Sequence, residues 1–176
     1  IASEFRYRKN RFKNDTLYII RRVGDSEYPS DDWTDELWKY DSNENGKKLF
    51  SSKGLTFLVS PNQASITVVF NDELFFIDSQ GNHLKQFSST DFAANPSERG
   101  VGLGILEWSA DSQTLWGHLA FGPVPNAYFE IDTATWQLNK HDLSTLDIGS
   151  EKVLNTETRK IAYSNHPVFF DVNSYN

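Results

Sequence analysis

The chain has 176 residues, of which 38% are hydrophobic and 14% aromatic, with a formal net charge of −7 and a pI near 5.0. This length suits one domain with a sizeable core, and the acidic balance argues against a nucleic-acid partner, because clustered Lys and Arg supply most of the affinity for phosphates. No apolar run approaches the roughly 20 residues that span a bilayer, and the absence of cysteine excludes disulfides and thiolate metal sites.

The first fifty residues read as four strands and one long loop. Residues 4–13 alternate aromatic and basic side chains with a period of two, which is typical of a strand with one solvated face. Further strands are predicted at 16–23, 37–40 and 48–50. The loop before the third strand, residues 24–36, contains six carboxylates and no basic side chain.

The next stretch, residues 54–87, is the clearest part of the pattern. Runs of β-branched and aromatic residues alternate with turn signals at 60–62, 71–72 and 78–82. The strands between these turns are 55–59, 65–70, 74–77 and 84–87. Four short antiparallel strands in one meander are what a single blade of a β-propeller contains.

The remainder of the chain repeats this plan. After a second long loop at 88–100, strands are predicted at 101–108, 114–121, 128–131 and 137–143, and then at 152–154, 160–163 and 168–170. No segment has a helical period. We therefore predict an all-β protein, a β-propeller of four-stranded antiparallel blades, with about four blades at residues 4–50, 54–87, 101–143 and 150–176.

A hydrophobic residue followed by Asp closes the third strand of each unit. The pairs are Tyr40-Asp41, Ile77-Asp78, Ile131-Asp132 and Phe170-Asp171, and the Asp residues are 37, 54 and 39 positions apart. These spacings bracket the roughly 40–50 residues of propeller repeats. We interpret each Asp as a turn residue whose carboxylate accepts backbone N–H bonds.

At these positions the sequence resembles the WD40-like (PD40) repeats of the TolB-type β-propeller superfamily. Their pattern is an apolar strand, Ser-Pro-Asp-Gly, a second strand, and a later strand that ends in Asp before a Gly turn. Residues 58–62 (LVSPN) and 108–112 (WSADS) match the first part, and residues 76–81 (FIDSQG) match the second. The resemblance covers roughly residues 37–171 and implies a propeller fold without universal catalytic residues. The third unit departs from it, with NTE at 155–157.

The number of units leaves two arrangements open. Propellers usually close with four to eight blades, and three units plus a partial fourth are present. We favour part of a larger propeller, because the sequence ends within a unit. The alternative is a closed four-bladed ring, in which residues 5–8 supply an outer strand beside residues 168–170.

Antiparallel connectivity sorts the connections between two ends of the blades. The turns at 60–64, 78–82, 109–113 and 132–136 fall at one end, which we call the turn end. The loops 24–36, 88–100 and 122–127 fall at the other, which we call the loop-rich end. Because binding residues collect on irregular loops carried by a rigid scaffold, we predict that the loop-rich end is the functional surface. The predicted contact residues are Tyr28, Trp33, Phe92 and Pro123.

Four patterns bear on metal binding and catalysis. Residues 41–46 (DSNENG) match the start of an EF-hand loop, but the twelfth position is Ser52 instead of Glu, so a hairpin turn is favoured. The acidic cluster at 31–36 lacks ligand spacing and is interpreted as a solvated loop. The four histidines form no metal spacing and are interpreted as surface or hydrogen-bonded residues. The glycines at 100–104 precede no helix that could hold a phosphate. We predict no cofactor, no metal and no catalytic residue.

The leading functional hypothesis is a non-catalytic module that binds a protein or peptide partner through the loop-rich end, with no nucleic-acid partner and no transmembrane segment. One alternative is a propeller enzyme, or the accessory domain of a hydrolase or peptidase whose catalytic residues lie outside this chain. Another is a binder of carbohydrates or small ligands on a bacterial surface, which the absence of cysteine and the aromatic loop residues favour. An extracytoplasmic location, periplasmic or at the cell surface, is favoured.

Overall fold

The computed structural model describes residues 6–13, 15–24, 32–92, 102–121, 124–142, 152–155, 160–163 and 166–171, with side chains over 15–24, 32–92, 102–120 and 127–141. Within these ranges the chain forms fifteen β-strands and one helical turn. The strands form four sheets, each in chain order, and neighbouring strands within each sheet are antiparallel. The predicted all-β architecture of antiparallel blades is confirmed.

We call the four sheets blades 1 to 4 and give their strands in chain order. Blade 1 contains β1 (Arg6–Lys13), β2 (Thr16–Gly24), β3 (Trp33–Tyr40) and β4 (Gly46–Ser52). Blade 2 contains β5 (Thr56–Val59), β6 (Ser65–Phe70), β7 (Glu73–Asp78) and β8 (His83–Phe87), and the helical turn α1 (Ser89–Phe92) follows. Blade 3 contains β9 (Gly102–Trp108), β10 (Thr114–Phe121), β11 (Val124–Asp132) and β12 (Gln137–Asp142). The described part of blade 4 contains β13 (Lys152–Asn155), β14 (Lys160–Tyr163) and β15 (His166–Asp171).

Blade 2 is packed on both of its faces, because successive side chains of a strand point to opposite sides of the sheet. On β7, Leu74 and Phe76 belong to the core shared with blade 3, whereas Phe75 and Ile77 pack on the side of blade 1. Fully burying such a side chain stabilises the fold by roughly 1.5–3 kcal/mol. The core between blades 1 and 2 includes Tyr18, Ile20, Leu37, Phe57 and Val68, and the core between blades 2 and 3 includes Leu58, Trp108, Leu115, Phe129 and Ile131. Sheets stacked face to face in chain order are the arrangement of propeller blades.

The start of β3 differs from the sequence-based prediction. β3 begins at Trp33 instead of residue 37, so the second half of the acidic loop is strand. Asp35 lies opposite Arg22 in β2, and Glu36 lies opposite Arg21. Cross-strand pairs of opposite charge allow acidic residues to occupy a strand. The interpretation as a solvated loop is therefore wrong for these two carboxylates.

A second difference follows β8, where residues 89–92 form a helical turn instead of irregular loop. Asp91 stabilises this turn, because its Oδ2 accepts hydrogen bonds from the backbone N of Ser88 at 2.6 Å and from the Ser88 hydroxyl at 2.9 Å. Four residues are too few to show a helical period, so the pattern could not reveal this element.

Three of the four repeated Asp residues, Asp41, Asp78 and Asp132, take the predicted role in their turns. The Oδ1 atoms of Asp41 and Asp78 each accept two backbone N–H bonds at 2.8–2.9 Å. The side-chain amides of Asn45 and Asn82 donate to the second carboxylate oxygens at 3.0 and 2.8 Å. Led by these amide bonds, the contacts hold the pKa of both Asp residues below the ordinary value of 3.8. The hairpin interpretation of residues 41–46 is therefore confirmed.

Candidate functional surface at the loop-rich end

Two short connections shape the described part of the loop-rich end. Residues 53–55 join β4 to β5, and Asn71–Asp72 joins β6 to β7. Asn71 and Asp72 have φ values of 48° and 58°, and two such residues in succession are typical of a type I′ hairpin turn. A two-residue turn projects little beyond its strands, so side chains at the strand ends form the surface here.

Trp33, a predicted contact residue, begins β3 and is partly exposed at this end. The guanidinium carbon of Arg22 lies 3.6 Å from the centroid of the indole ring. The Nζ atom of Lys53, in the connection to blade 2, lies 6.0 Å from the same ring. A cation over an aromatic face is worth roughly 0.5–2 kcal/mol, with the larger values in desolvated sites. Two cations therefore lie near the Trp33 ring.

Arg22 is itself held by Asp35. Its Nε and Nη2 atoms donate to the two carboxylate oxygens of Asp35 at 2.9 and 3.2 Å. Asp35 is fully buried, and 13% of the Arg22 side chain is exposed. A bidentate pair fixes the plane of the guanidinium. The stack Asp35–Arg22–Trp33 therefore gives the indole a defined orientation at the surface.

The structure places Phe92, the second predicted contact residue, in the interior. Its side chain is 3% exposed, and its ring lies 4.8 Å from that of Phe129 in the core between blades 2 and 3. Its carbonyl oxygen accepts a hydrogen bond from Nζ of Lys140 at 3.3 Å. Phe92 therefore supports the loop-rich end from beneath. Tyr28 and Pro123, the other two predicted contact residues, lie outside the described residues.

Sequence reasoning missed an aromatic cluster formed by Phe50, Phe70 and Phe75, each of which is partly buried. The rings of Phe70 and Phe75 are stacked at 5.0 Å with an interplanar angle of 11°. The Phe50 ring lies 5.6 Å from Phe70 and 5.4 Å from Phe75. Two aromatic residues flanking the Asn71–Asp72 turn could have been noticed in the sequence. Phe50 belongs to another blade, and only the fold brings it to the pair.

The turn end is closed by hydrogen bonds among its own groups. Ser60 donates to Asn62, and Ser109 donates to Asp111, in turns of the same geometry. The backbone N of Asn62 donates to Oγ of Ser112 at 3.0 Å and so links blades 2 and 3. The Ser109 hydroxyl is also the main reason why the pKa of Asp111 is lowered. The polar groups of these turns therefore serve the fold.

A further polar group lies on the face of blade 3 that is turned away from blade 2. Nε2 of His141 is 3.8 Å from Oε1 of Glu130, and the rings of Trp116 and His141 are stacked at 6.3 Å. The His118 ring lies over Gly104, where a Cβ atom would overlap it. Burial lowers the pKa of His118. Its Nδ1 atom is buried and makes no hydrogen bond in the described part of the chain, so the surface or hydrogen-bonded interpretation is wrong for this atom.

Neither a metal cluster nor a membrane-spanning helix is found in the described ranges. Among the side chains described there, no group of three or more His, Asp and Glu residues could hold a metal ion. Over the same part of the chain, no helix is long and apolar enough to cross a membrane.

Three four-stranded antiparallel sheets and a further sheet with three described strands, each built from consecutive strands, define this chain as a β-propeller. No protein-family model matches it, and no curated protein matches it. Among solved structures, it is similar to the acylaminoacyl peptidase of Pyrococcus horikoshii, with 13% identity and a TM-score of 0.57 over 90% of this chain and 28% of the peptidase.

Two further solved structures are similar to this chain. The protein lmo1340 of Listeria monocytogenes shares 12% identity, with a TM-score of 0.55 over 96% of this chain and 54% of that protein. TolB of Acinetobacter baumannii shares 16% identity, with a TM-score of 0.49 over 83% of this chain and 34% of TolB. The chain thus spans about half or less of the length of each. The predicted resemblance is confirmed for the fold alone, which is that of a β-propeller.

Proposed function

We propose that this chain is a non-catalytic β-propeller module that binds a protein or peptide partner through its loop-rich end. The observation that carries this proposal is the Asp35–Arg22–Trp33 stack. Trp and Arg dominate the energetic centres of protein interfaces. A side chain that is already oriented loses little conformational entropy when a partner covers it. Trp33 therefore has the properties of an anchor residue.

A panel of phage-displayed random dodecapeptides, selected on the purified chain, tests this proposal. The selected peptides are synthesised, and their dissociation constants are measured by fluorescence anisotropy. We expect Trp33→Ala to weaken binding about tenfold or more, because truncating a hot-spot residue of an interface has an effect of at least this size. Trp33→Phe should retain a large part of the affinity, because it keeps an aromatic ring beside Arg22.

Leu84→Ala is the matched control. Leu84 is 43% exposed on β8, near the turn end, and its removal should leave both affinity and melting temperature unchanged. Equal affinities for the wild type and Trp33→Ala would contradict the proposal, as would a loss of binding that only follows a loss of thermal stability.

A second candidate function is an accessory domain of a peptidase. The similarity to a part of the acylaminoacyl peptidase favours it, since this chain covers 28% of that protein. In that case the loop-rich end would contact another domain of the same polypeptide. Placing a photoreactive benzoylphenylalanine at position 33 of the full-length protein separates the two candidates. A crosslink to a segment of the same polypeptide outside residues 1–176 supports the accessory domain, and a crosslink to a second molecule supports the binding module.

A further inference from the structure

The aromatic cluster of Phe50, Phe70 and Phe75 lies at the loop-rich end of the interface between blades 1 and 2. Phe70 is the last residue of β6, Phe75 lies near the start of β7, and Phe50 comes from β4 of the neighbouring blade. All three rings pack on the core beneath them and remain partly accessible. The cluster is therefore an apolar patch that continues the interior to the surface.

The backbone around the patch explains why the rings are accessible. The Asn71–Asp72 turn between Phe70 and Phe75 has only two residues, with φ values of 48° and 58°. A turn of two residues adds little chain above the two stacked phenyl rings. The patch is thus left at the surface by the shortest connection of blade 2.

Two carboxylates, those of Asp72 and Glu73, lie next to the patch along the chain. Glu73 pairs directly with Phe70 across the hairpin, so its side chain is on the same face of the sheet as both phenyl rings. Asp72 is the neighbouring turn residue. Within the described part of the chain, neither carboxylate has an ion pair or hydrogen bond. Two such anions beside an apolar patch favour a cationic neighbour.

We propose that this patch binds a peptide segment in which an aromatic or large aliphatic side chain stands next to Lys or Arg. The apolar side chain packs on Phe70 and Phe75, and the cation pairs with Glu73 and Asp72. This inference rests on the proposed function, because it names the chemistry of the partner that the loop-rich end takes. It also accords with the net charge of −7, which attracts basic partners over a distance.

The peptides selected from the dodecapeptide library provide the test. We expect enrichment of an aromatic, Leu or Ile residue adjacent to Lys or Arg. The double variant Asp72→Asn with Glu73→Gln keeps the shape of the turn and removes both charges. This variant should bind the selected peptides about three- to tenfold more weakly at low salt. Most of the dependence of the affinity on salt concentration should also be lost.

Phe75→Leu tests the apolar half of the contact. It retains apolar bulk but removes the ring, and we expect about tenfold weaker binding with the fold intact by circular dichroism. Two outcomes overturn the inference. One is that the selected peptides contain no enriched basic residue. The other is that the selected peptides bind the charge variant and Phe75→Leu as tightly as they bind the wild type. If Trp33→Ala still weakens those peptides, the proposed function stands without this inference. If no peptide is enriched at all, both the proposed function and this inference are rejected.

Discussion

The guanidinium carbon of Arg22 lies 3.6 Å from the centroid of the Trp33 ring, and the two residues come from adjacent strands of blade 1. Arg22 lies opposite Asp35 in the ladder, and Trp33 lies two positions before Asp35 on the same strand. One arginine therefore joins a buried carboxylate to a surface indole. The orientation of Trp33, the proposed anchor residue, therefore depends on an interior ion pair.

Replacing Asp35 should disturb both stability and the surface. Asp35→Asn leaves the guanidinium of Arg22, which is 13% exposed, without its counter-charge, and breaking a buried pair in this way costs about 3 kcal/mol of unfolding free energy. Glu36→Gln is the matched control on the next residue. Its partner Lys48 is 50% exposed, so the loss should stay below about 1 kcal/mol. Urea denaturation of the two variants measures the difference, and equal losses would contradict the structural account.

Substitution by Ala should destabilise the protein to different extents at two glycines. Gly81 has a φ of 86°, and an added Cβ would lie 2.9 Å from the carbonyl oxygen of Leu49 in blade 1. Gly54 has a φ of 68° with no atom within 4 Å of the added Cβ. Ala at either position incurs about 1–2 kcal/mol for the left-handed backbone. We expect Gly81→Ala to lose at least about 1 kcal/mol more than Gly54→Ala, because it also pushes blades 1 and 2 apart. Chemical denaturation measures both, and equal losses would argue against this blade contact.

His118 should make the free energy of unfolding depend on pH in the mildly acidic range. Burial lowers its pKa below the ordinary value of 6.5, so the unfolded chain binds a proton at this site more readily than the folded chain. The neutral side chain imposes no penalty above pH 6.5, and stability falls as the pH drops below that value. His118→Gln removes the titrating group. The urea midpoint of the wild type should therefore decrease from pH 8 to pH 5 by more than that of the variant, and parallel decreases would refute this assignment.

Asp78 acts in a lower range of pH. The amide of Asn82 and the backbone groups of the turn lower its pKa below 3.8, so the carboxylate stabilises the fold above pH 3.8. That contribution is lost as the pH falls through the lowered value. Asp78→Asn should be less stable than the wild type at pH 7 and should show a smaller further loss between pH 4 and pH 2. Asp72→Asn is the control, since Asp72 has no such bonds in the described part of the chain. If Asp78→Asn is as stable as the wild type at pH 7, the Asp78 carboxylate does not stabilise this turn.

The turns and strands of blade 2 were predictable because their causes lie within a few residues. Asp78 is followed by backbone N–H groups that it can bind, and Asn71–Asp72 favours the left-handed conformations that a tight hairpin requires. The repeated Asp in blades 1 and 3 follows the same local rule. The sequence was enough to propose Trp33 as a contact residue. It did not reveal that Arg22, which is paired with Asp35, packs against it.

The errors have a common physical origin. Asp35 and Glu36 suggested a solvated loop because their partners Arg21 and Arg22 belong to a different strand. Phe92 was expected at the surface, but its side chain is buried in the core between blades 2 and 3. The cluster of Phe50, Phe70 and Phe75 was missed for the same reason, since one of its rings comes from the neighbouring blade.

By itself, the sequence determined that this protein is built of short antiparallel strands with Asp-closed turns, because alternation of side chains and turn hydrogen bonds act over two to five residues. Only the tertiary structure decided which sheet faces meet, which charges are buried and which aromatic rings reach the loop-rich end. Those outcomes depend on the packing of blades whose residues are tens of positions apart, and no local pattern encodes which of two apolar faces a neighbouring sheet will cover.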